Sequence, residues 1–98
     1  MSPSLDKQYL GVDSILQERG NRYGKFSGHA ELTQALKYCF AEHAARWSDL
    51  TPSMREALDM IFHKIGRIGN GDPFYDDSWI DIAGYAQLVV DELHGEGK

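Results

Sequence analysis

The 98-residue sequence predicts an all-α fold, a compact four-helix, bundle-like single domain, on three observations. Apolar residues recur at three- and four-residue spacing through most of the chain. Alternating apolar and polar runs of the kind that make strands are absent, and the single Asn-Gly pair, Asn70-Gly71, sits between helical stretches. The chain is 42% hydrophobic with 11 aromatic residues, enough apolar matter for a packed core at a length that makes one domain.

Residues 1–11 carry Pro3 and two serines with weak periodicity, and read as a loose lead-in. Val12, Ile15, Leu16 and Arg19 fall at helical spacing, with Gly20 as a stop, so a short first helix is expected over 12–19. The three glycines of 20–28 predict a loop, and Arg22, Tyr23, Lys25 and Phe26 give it two cations and two aromatics. A second helix follows over 29–47, with Leu32, Leu36, Cys39, Phe40, His43 and Trp47 on one face. His43 is expected to be a satisfied core histidine.

Thr51 and Pro52 supply an N-cap and a first helical residue for a third helix that runs to Ile68. Leu58, Ile61, Phe62, Ile65 and Ile68 form its core stripe, and Gly69-Asn70-Gly71-Asp72-Pro73 ends it. The fourth helix spans 77–93, with Asp77 at its cap and carboxylates that suit the positive end of the helix dipole. Trp79, Ile82, Ala83, Ala86, Val89, Val90 and Leu93 are expected to face inward. Ile80, Gly84 and Leu88 make a second small or apolar face, which predicts a homo-oligomer, most simply a dimer. Residues 94–98 are read as a frayed tail.

The net charge of −5 repels a phosphate backbone, which argues against duplex nucleic acid as a partner. One cysteine, Cys39, fits a reducing cytosol. No apolar run is long enough to span a membrane, and no signal sequence is visible, so a cytoplasmic protein with no membrane partner is expected. Four histidines without ligand spacing argue against zinc.

On a helical wheel Glu56, Asp59, His63 and Arg67 share one face of the third helix. Two readings stand side by side: a solvated face of i, i+4 pairs, or a functional face on which the carboxylates hold a divalent cation such as Mg²⁺ and Arg67 an anion. Asp77 and Asp81 repel at i, i+4; either a metal or a basic partner neutralises them, or Asp77 is only the N-cap and Asp81 pairs with Lys64 or Arg67 of the third helix. The segment from Arg19 to Phe26 has the residues to grip a phosphate with cations and stack a base on Tyr23 or Phe26; its alternative is a turn whose aromatics pack inward. No residue is assigned a catalytic role.

Three blocks carry a resemblance. They are Ile15-Leu16-Gln17-Glu18-Arg19-Gly20-x-Arg22-Tyr23-Gly24-x-Phe26-x-x-His29-Ala30, then Arg55-Glu56-Ala57-Leu58-x-Met60-Ile61-x-His63-Lys64-Ile65-x-Arg67-Ile68-x-Asn70-Gly71-Asp72-Pro73, then Asp77-Ser78-Trp79-x-Asp81-Ile82-Ala83-Gly84-Tyr85-Ala86. Over Ile15 to Val90 the chain resembles a family of small uncharacterised bacteriophage and prophage proteins. More distantly it is similar to phage nucleotide-modification-associated helical domains and to the MazG-like all-α nucleoside triphosphate pyrophosphatases. Those enzymes hold Mg²⁺ on a triphosphate with carboxylate-bearing helices. Here the first such motif is reduced to Glu56-x-x-Asp59 and the second is Asp77-x-x-x-Asp81, at a different spacing.

The resemblance implies a phage accessory protein that binds a nucleotide or nucleotide-derived signal and withholds it from host defence. Arg22, Lys25, Lys64 and Arg67 would meet phosphate, and Tyr23, Phe26 or Trp79 the base. It equally allows a Mg²⁺-dependent (d)NTP pyrophosphatase using Glu56, Asp59, Asp77 and Asp81. A protein–protein inhibitor of a host defence enzyme, with the acidic surface as decoy, is a third reading.

Overall fold

A computed structural model describes residues 3–97, with side chains from residue 11 onward. The described residues fold as four α-helices, with no strand among them: α1 (Pro3–Tyr23), α2 (Phe26–His43), α3 (Pro52–Asn70) and α4 (Asp76–Leu93), plus one 3₁₀ turn at Trp47–Asp49. The all-α class holds. Met1, Ser2 and Lys98, the extremes of the expected lead-in and tail, lie outside the described residues.

Helix α3 begins as its capping chemistry dictates. The Thr51 side chain accepts from the Met54 N–H at 3.2 Å, and Pro52 occupies the first turn, where its missing N–H costs nothing. The helix runs two residues past Ile68 and ends when the Gly71 N–H bonds the Arg67 carbonyl at 3.0 Å. Helix α4 starts one residue earlier than expected. Tyr75 stands at its N-cap, so Asp77 is a first-turn residue, where it accepts a bond from the Tyr75 hydroxyl at 2.9 Å. Between the two helices, Asp72 accepts from the Phe74 N–H at 2.9 Å, and Trp79 Nε1 donates to the Pro73 carbonyl at 2.9 Å, pinning the turn.

The amino-terminal half departs from expectation. There is no 20–28 loop: α1 runs through Gly20 to Tyr23, and α2 opens at Phe26. Of Gly20, Gly24 and Gly28, Gly24 alone adopts the left-handed conformation (φ +78°) that glycine tolerates, so the break is confined to Gly24-Lys25. Gly20 sits in open space within the helix, at the usual cost of about 1 kcal/mol relative to alanine. Helix α2 ends at His43 rather than at Trp47, which belongs to the 3₁₀ turn.

Helix α3 is central, packed between α2 and α4, and it also meets the end of α1. Phe40 of α2 stacks against Phe62 of α3 (ring centroids 5.4 Å apart) and against Trp47 (6.0 Å), while Arg55 lies over the Trp47 ring. Yet Ala57 is the only buried hydrophobic side chain among the described residues. Cys39 and His43, expected on the core stripe of α2, are exposed. So are Ile65 of α3 and Trp79, Ala83, Ala86, Val90 and Leu93 of α4; only Ile82 and Val89 of the predicted α4 stripe are half-buried. No helix of the described residues is long and apolar enough to cross a membrane.

Candidate functional site

The elbow between α1 and α2 is tied to the far end of α3 by one side chain. Asn70 Nδ2 donates to the Tyr23 and Lys25 carbonyls, each at 2.9 Å. The Asp72 N–H adds a bond to the Arg22 carbonyl at 2.6 Å. Close approach is what the glycines permit: a Cβ on Gly24 or Gly28 would run into Asn70, and one on Gly71 into the Arg22–Tyr23 backbone. The Arg-Tyr-Gly and Asn-Gly-Asp blocks, read separately in the sequence, are therefore two halves of one clasp.

Inside that clasp lies a cleft of about 690 Å³, within the range of small-molecule sites. Its cations are Arg19, Lys25 and Arg67, and its aromatics are Tyr23 and Phe26. His29 and His63 line it too. The Arg67 guanidinium lies over the Tyr23 ring, 4.2 Å from the centroid, a cation–π contact that orients it without neutralising it. Among the described residues no carboxylate forms an ion pair with Arg19, Lys25 or Arg67. Phe26 is 79% exposed, an apolar ring left facing water.

The two histidines come from different helices. His29 Nε2 lies 3.3 Å from His63 Nδ1, with the rings edge to face at 4.5 Å. His29 is buried; its Nδ1 lies 3.4 Å from the Thr33 hydroxyl, and the Gly66 backbone packs against its ring. Burial pushes both histidines down, reinforced by Arg67 and Lys64; His63 falls to about 4. Both rings are thus neutral near pH 7, so the positive charge of the cleft resides in Arg19, Lys25 and Arg67.

Of the seven residues expected to bind a ligand, Tyr23, Lys25, Phe26 and Arg67 line this cleft, and Arg22, Lys64 and Trp79 do not. Arg22 pairs with Glu18 at 3.1 Å and stacks over the Tyr75 ring at 4.4 Å. Lys64 pairs with Asp81 at 2.9 Å, the structural alternative open for that aspartate. Trp79 is committed to the Pro73 carbonyl.

The four carboxylates proposed for a metal do not converge. Glu56 lines a groove against α4 with Tyr85 and Glu92, whereas Asp59 lines another against α2 with Lys37 and Tyr38. Asp77 and Asp81 hold the separate partners given above. No group of three or more potential metal-ligating side chains occurs among the described residues. Nor is Glu56, Asp59, His63 and Arg67 one solvated face, since only Glu56 of the four is exposed.

Sequence reasoning missed His29 as a site residue and gave Arg19 and His63 no ligand to meet. Arg19 has a signal in its place in the basic aromatic segment, and His63 in the face that it shares with Arg67. The histidine pair joins residues 34 apart in sequence, which no local spacing reveals. No protein-family model, curated protein or solved structure matches the chain.

Proposed function

We propose that this chain binds a nucleotide or nucleotide-derived anion in the cleft between α1, α2 and α3, as a homo-oligomeric accessory protein of a bacteriophage that withholds such a signal from host defence. One observation carries the binding: Arg19, Lys25 and Arg67, without carboxylate partners among the described residues, surround a cavity walled by Tyr23 and the exposed Phe26, on a protein of net charge −5. A phosphate meets the cations, and Arg67 is suited to a bidentate grip on its oxygens. The base covers Phe26, whose ring otherwise faces water. The phage setting rests on the resemblance of the three sequence blocks. The pyrophosphatase alternative asks Glu56, Asp59, Asp77 and Asp81 to act on one metal, and their separate surroundings give it less support.

Calorimetric titration with a panel of linear and cyclic nucleotides tests the proposal. Removing a charge-assisted bond worth about 1.5–3 kcal/mol should weaken binding about 10- to 150-fold in Arg67→Ala. Equal affinities for wild type and Arg67→Ala would remove the site. Pyrophosphate release with Mg²⁺ in the same panel would favour the enzyme instead.

A further inference from the structure

The histidine pair stands in a cleft whose fixed charges are all of one sign. Arg19 lines it from α1, Lys25 from the elbow and Arg67 from α3, and among the described residues no carboxylate lines it. Tyr23 is its remaining titratable group. Around His63 the same holds on every side. Its own helix brings Arg67 and Lys64, and Lys64 already holds Asp81 of α4. Helix α2 brings His29 and Lys37. Asp59, one turn earlier on α3, lines the separate groove with Lys37 and Tyr38.

Two neutral imidazoles carry two N–H groups and two lone pairs between them. With His29 Nε2 and His63 Nδ1 3.3 Å apart, the contact uses one N–H and one lone pair, whichever ring donates. One lone pair is left over. The pair therefore has room for one added proton with the contact intact, whereas a second would set N–H against N–H. Burial and the surrounding cations oppose that proton and hold His63 down at about 4. An anion seated among Arg19, Lys25 and Arg67 changes the balance. Burial still opposes the proton, but the cations are neutralised and the anion attracts it.

We infer that anion capture in this cleft is coupled to the uptake of one proton from solvent by the His29–His63 pair, so that the site holds its phosphate group more tightly as the pH falls. The inference rests on the anion-binding reading of the cleft and gives that site its regulation. The sign follows from linkage: an anion that makes the pair more basic binds better wherever the bound form is protonated and the free form is not. That window closes at about pH 4, where His63 takes the proton unaided. Near pH 7 the pair is neutral with or without the anion, and the grip falls to the three fixed cations.

Histidine ring resonances of the full chain, followed by nuclear magnetic resonance from about pH 8 to about pH 4, test this. The probe is inorganic sulfate, a phosphate-like dianion that does not itself titrate in that range, compared with chloride at equal ionic strength. His43→Gln and His94→Gln, both at exposed positions, assign the resonances by elimination. Sulfate should move the His63 midpoint from about 4 to about 6 and leave His43 and His94 where they are in chloride. Such a rise corresponds to a sulfate affinity about tenfold higher at about pH 5 than at about pH 7.5, read by calorimetry. In Arg67→Ala the sulfate effect should be lost. Resonances of the pair that titrate alike in the two salts, or that move no more than those of His43 and His94, would overturn the inference. Sulfate-dependent shifts of the Lys25 and Arg67 amides would in that case leave the anion site standing without the coupling. No binding of sulfate or of any nucleotide in the panel would overturn the anion-binding reading as well.

Discussion

Gly66→Ala is the substitution with the clearest physical outcome. Gly66 is buried in α3 where α2 crosses it. In an unconstrained helix the added methyl would stabilise by about 1 kcal/mol. Here the new Cβ collides with Thr33 Oγ1 and comes within 2.9 Å of His29 Nδ1 and 3.1 Å of its Cε1. Thr33 is 3% exposed and β-branched, so its χ1 has few alternatives, and turning it away gives up the contact with His29. Parting the helices instead opens the packing along their length. Overpacking of this kind costs about 1–3 kcal/mol, and the propensity gain offsets only part of it. A net loss of up to about 2 kcal/mol lowers the melting temperature of a chain this size by up to about 16 °C. Far-ultraviolet circular dichroism on thermal ramps, at fixed protein concentration because an oligomer melts by mass action, reads the shift. Adding Thr33→Ala should recover part of the loss, with a coupling of at least about 0.5 kcal/mol. A melting temperature for Gly66→Ala at or above wild type would refute the reasoning, since helix propensity alone would then account for it.

Asn70→Ala removes both clasp bonds and should cost about 1–3 kcal/mol in urea denaturation, with a weaker nucleotide titration because the elbow shapes the cleft. His63 is depressed to about 4 from its ordinary 6.5, so the folded chain resists a proton that the unfolded chain accepts. Its contribution is therefore fully present above about pH 6.5 and is lost as the pH falls toward 4, and His63→Gln should flatten the stability profile in that window. Asp81→Asn loses the pair with Lys64 at a site where the carboxylate is half-exposed. It should cost no more than about 1 kcal/mol and leave nucleotide affinity unchanged, as a Mg²⁺-dependent site would not.

What was legible in the sequence follows the range of the interactions. The start of α3 is set by Thr51 and Pro52 within a few residues of each other, and such chemistry is local enough to read. The α1–α2 region misleads because Gly20, Gly24 and Gly28 look alike on paper. Gly24 bends the chain, Gly20 sits unremarked inside a helix, and Gly28 leaves room for an Asn70 side chain far away in sequence. Periodicity shows that α4 is apolar but not which sector meets α3, so Trp79 and Val90 were placed inside and stand outside. For the site, composition picks out Tyr23, Lys25, Phe26 and Arg67, whereas the spacing of Glu56 and Asp59 puts them together on a helix that lies between two others. Each is drawn into a different groove.

The clasp also bears on how the chain ages. Asparagine followed by glycine is the pair whose backbone nitrogen most readily attacks the side-chain amide, because glycine offers no steric shield. In the folded chain both reactants are held: the Gly71 nitrogen points its proton at the Arg67 carbonyl, and the Asn70 amide is spent on Tyr23 and Lys25. Unfolding frees both. The carboxylate that deamidation leaves at residue 70 would face two carbonyl oxygens where an NH₂ group had bridged them. Refolding would then meet repulsion where it had found two bonds. Time spent unfolded is thus written into the chain as a permanent chemical scar, at the side chain whose two hydrogen bonds join the elbow to α3.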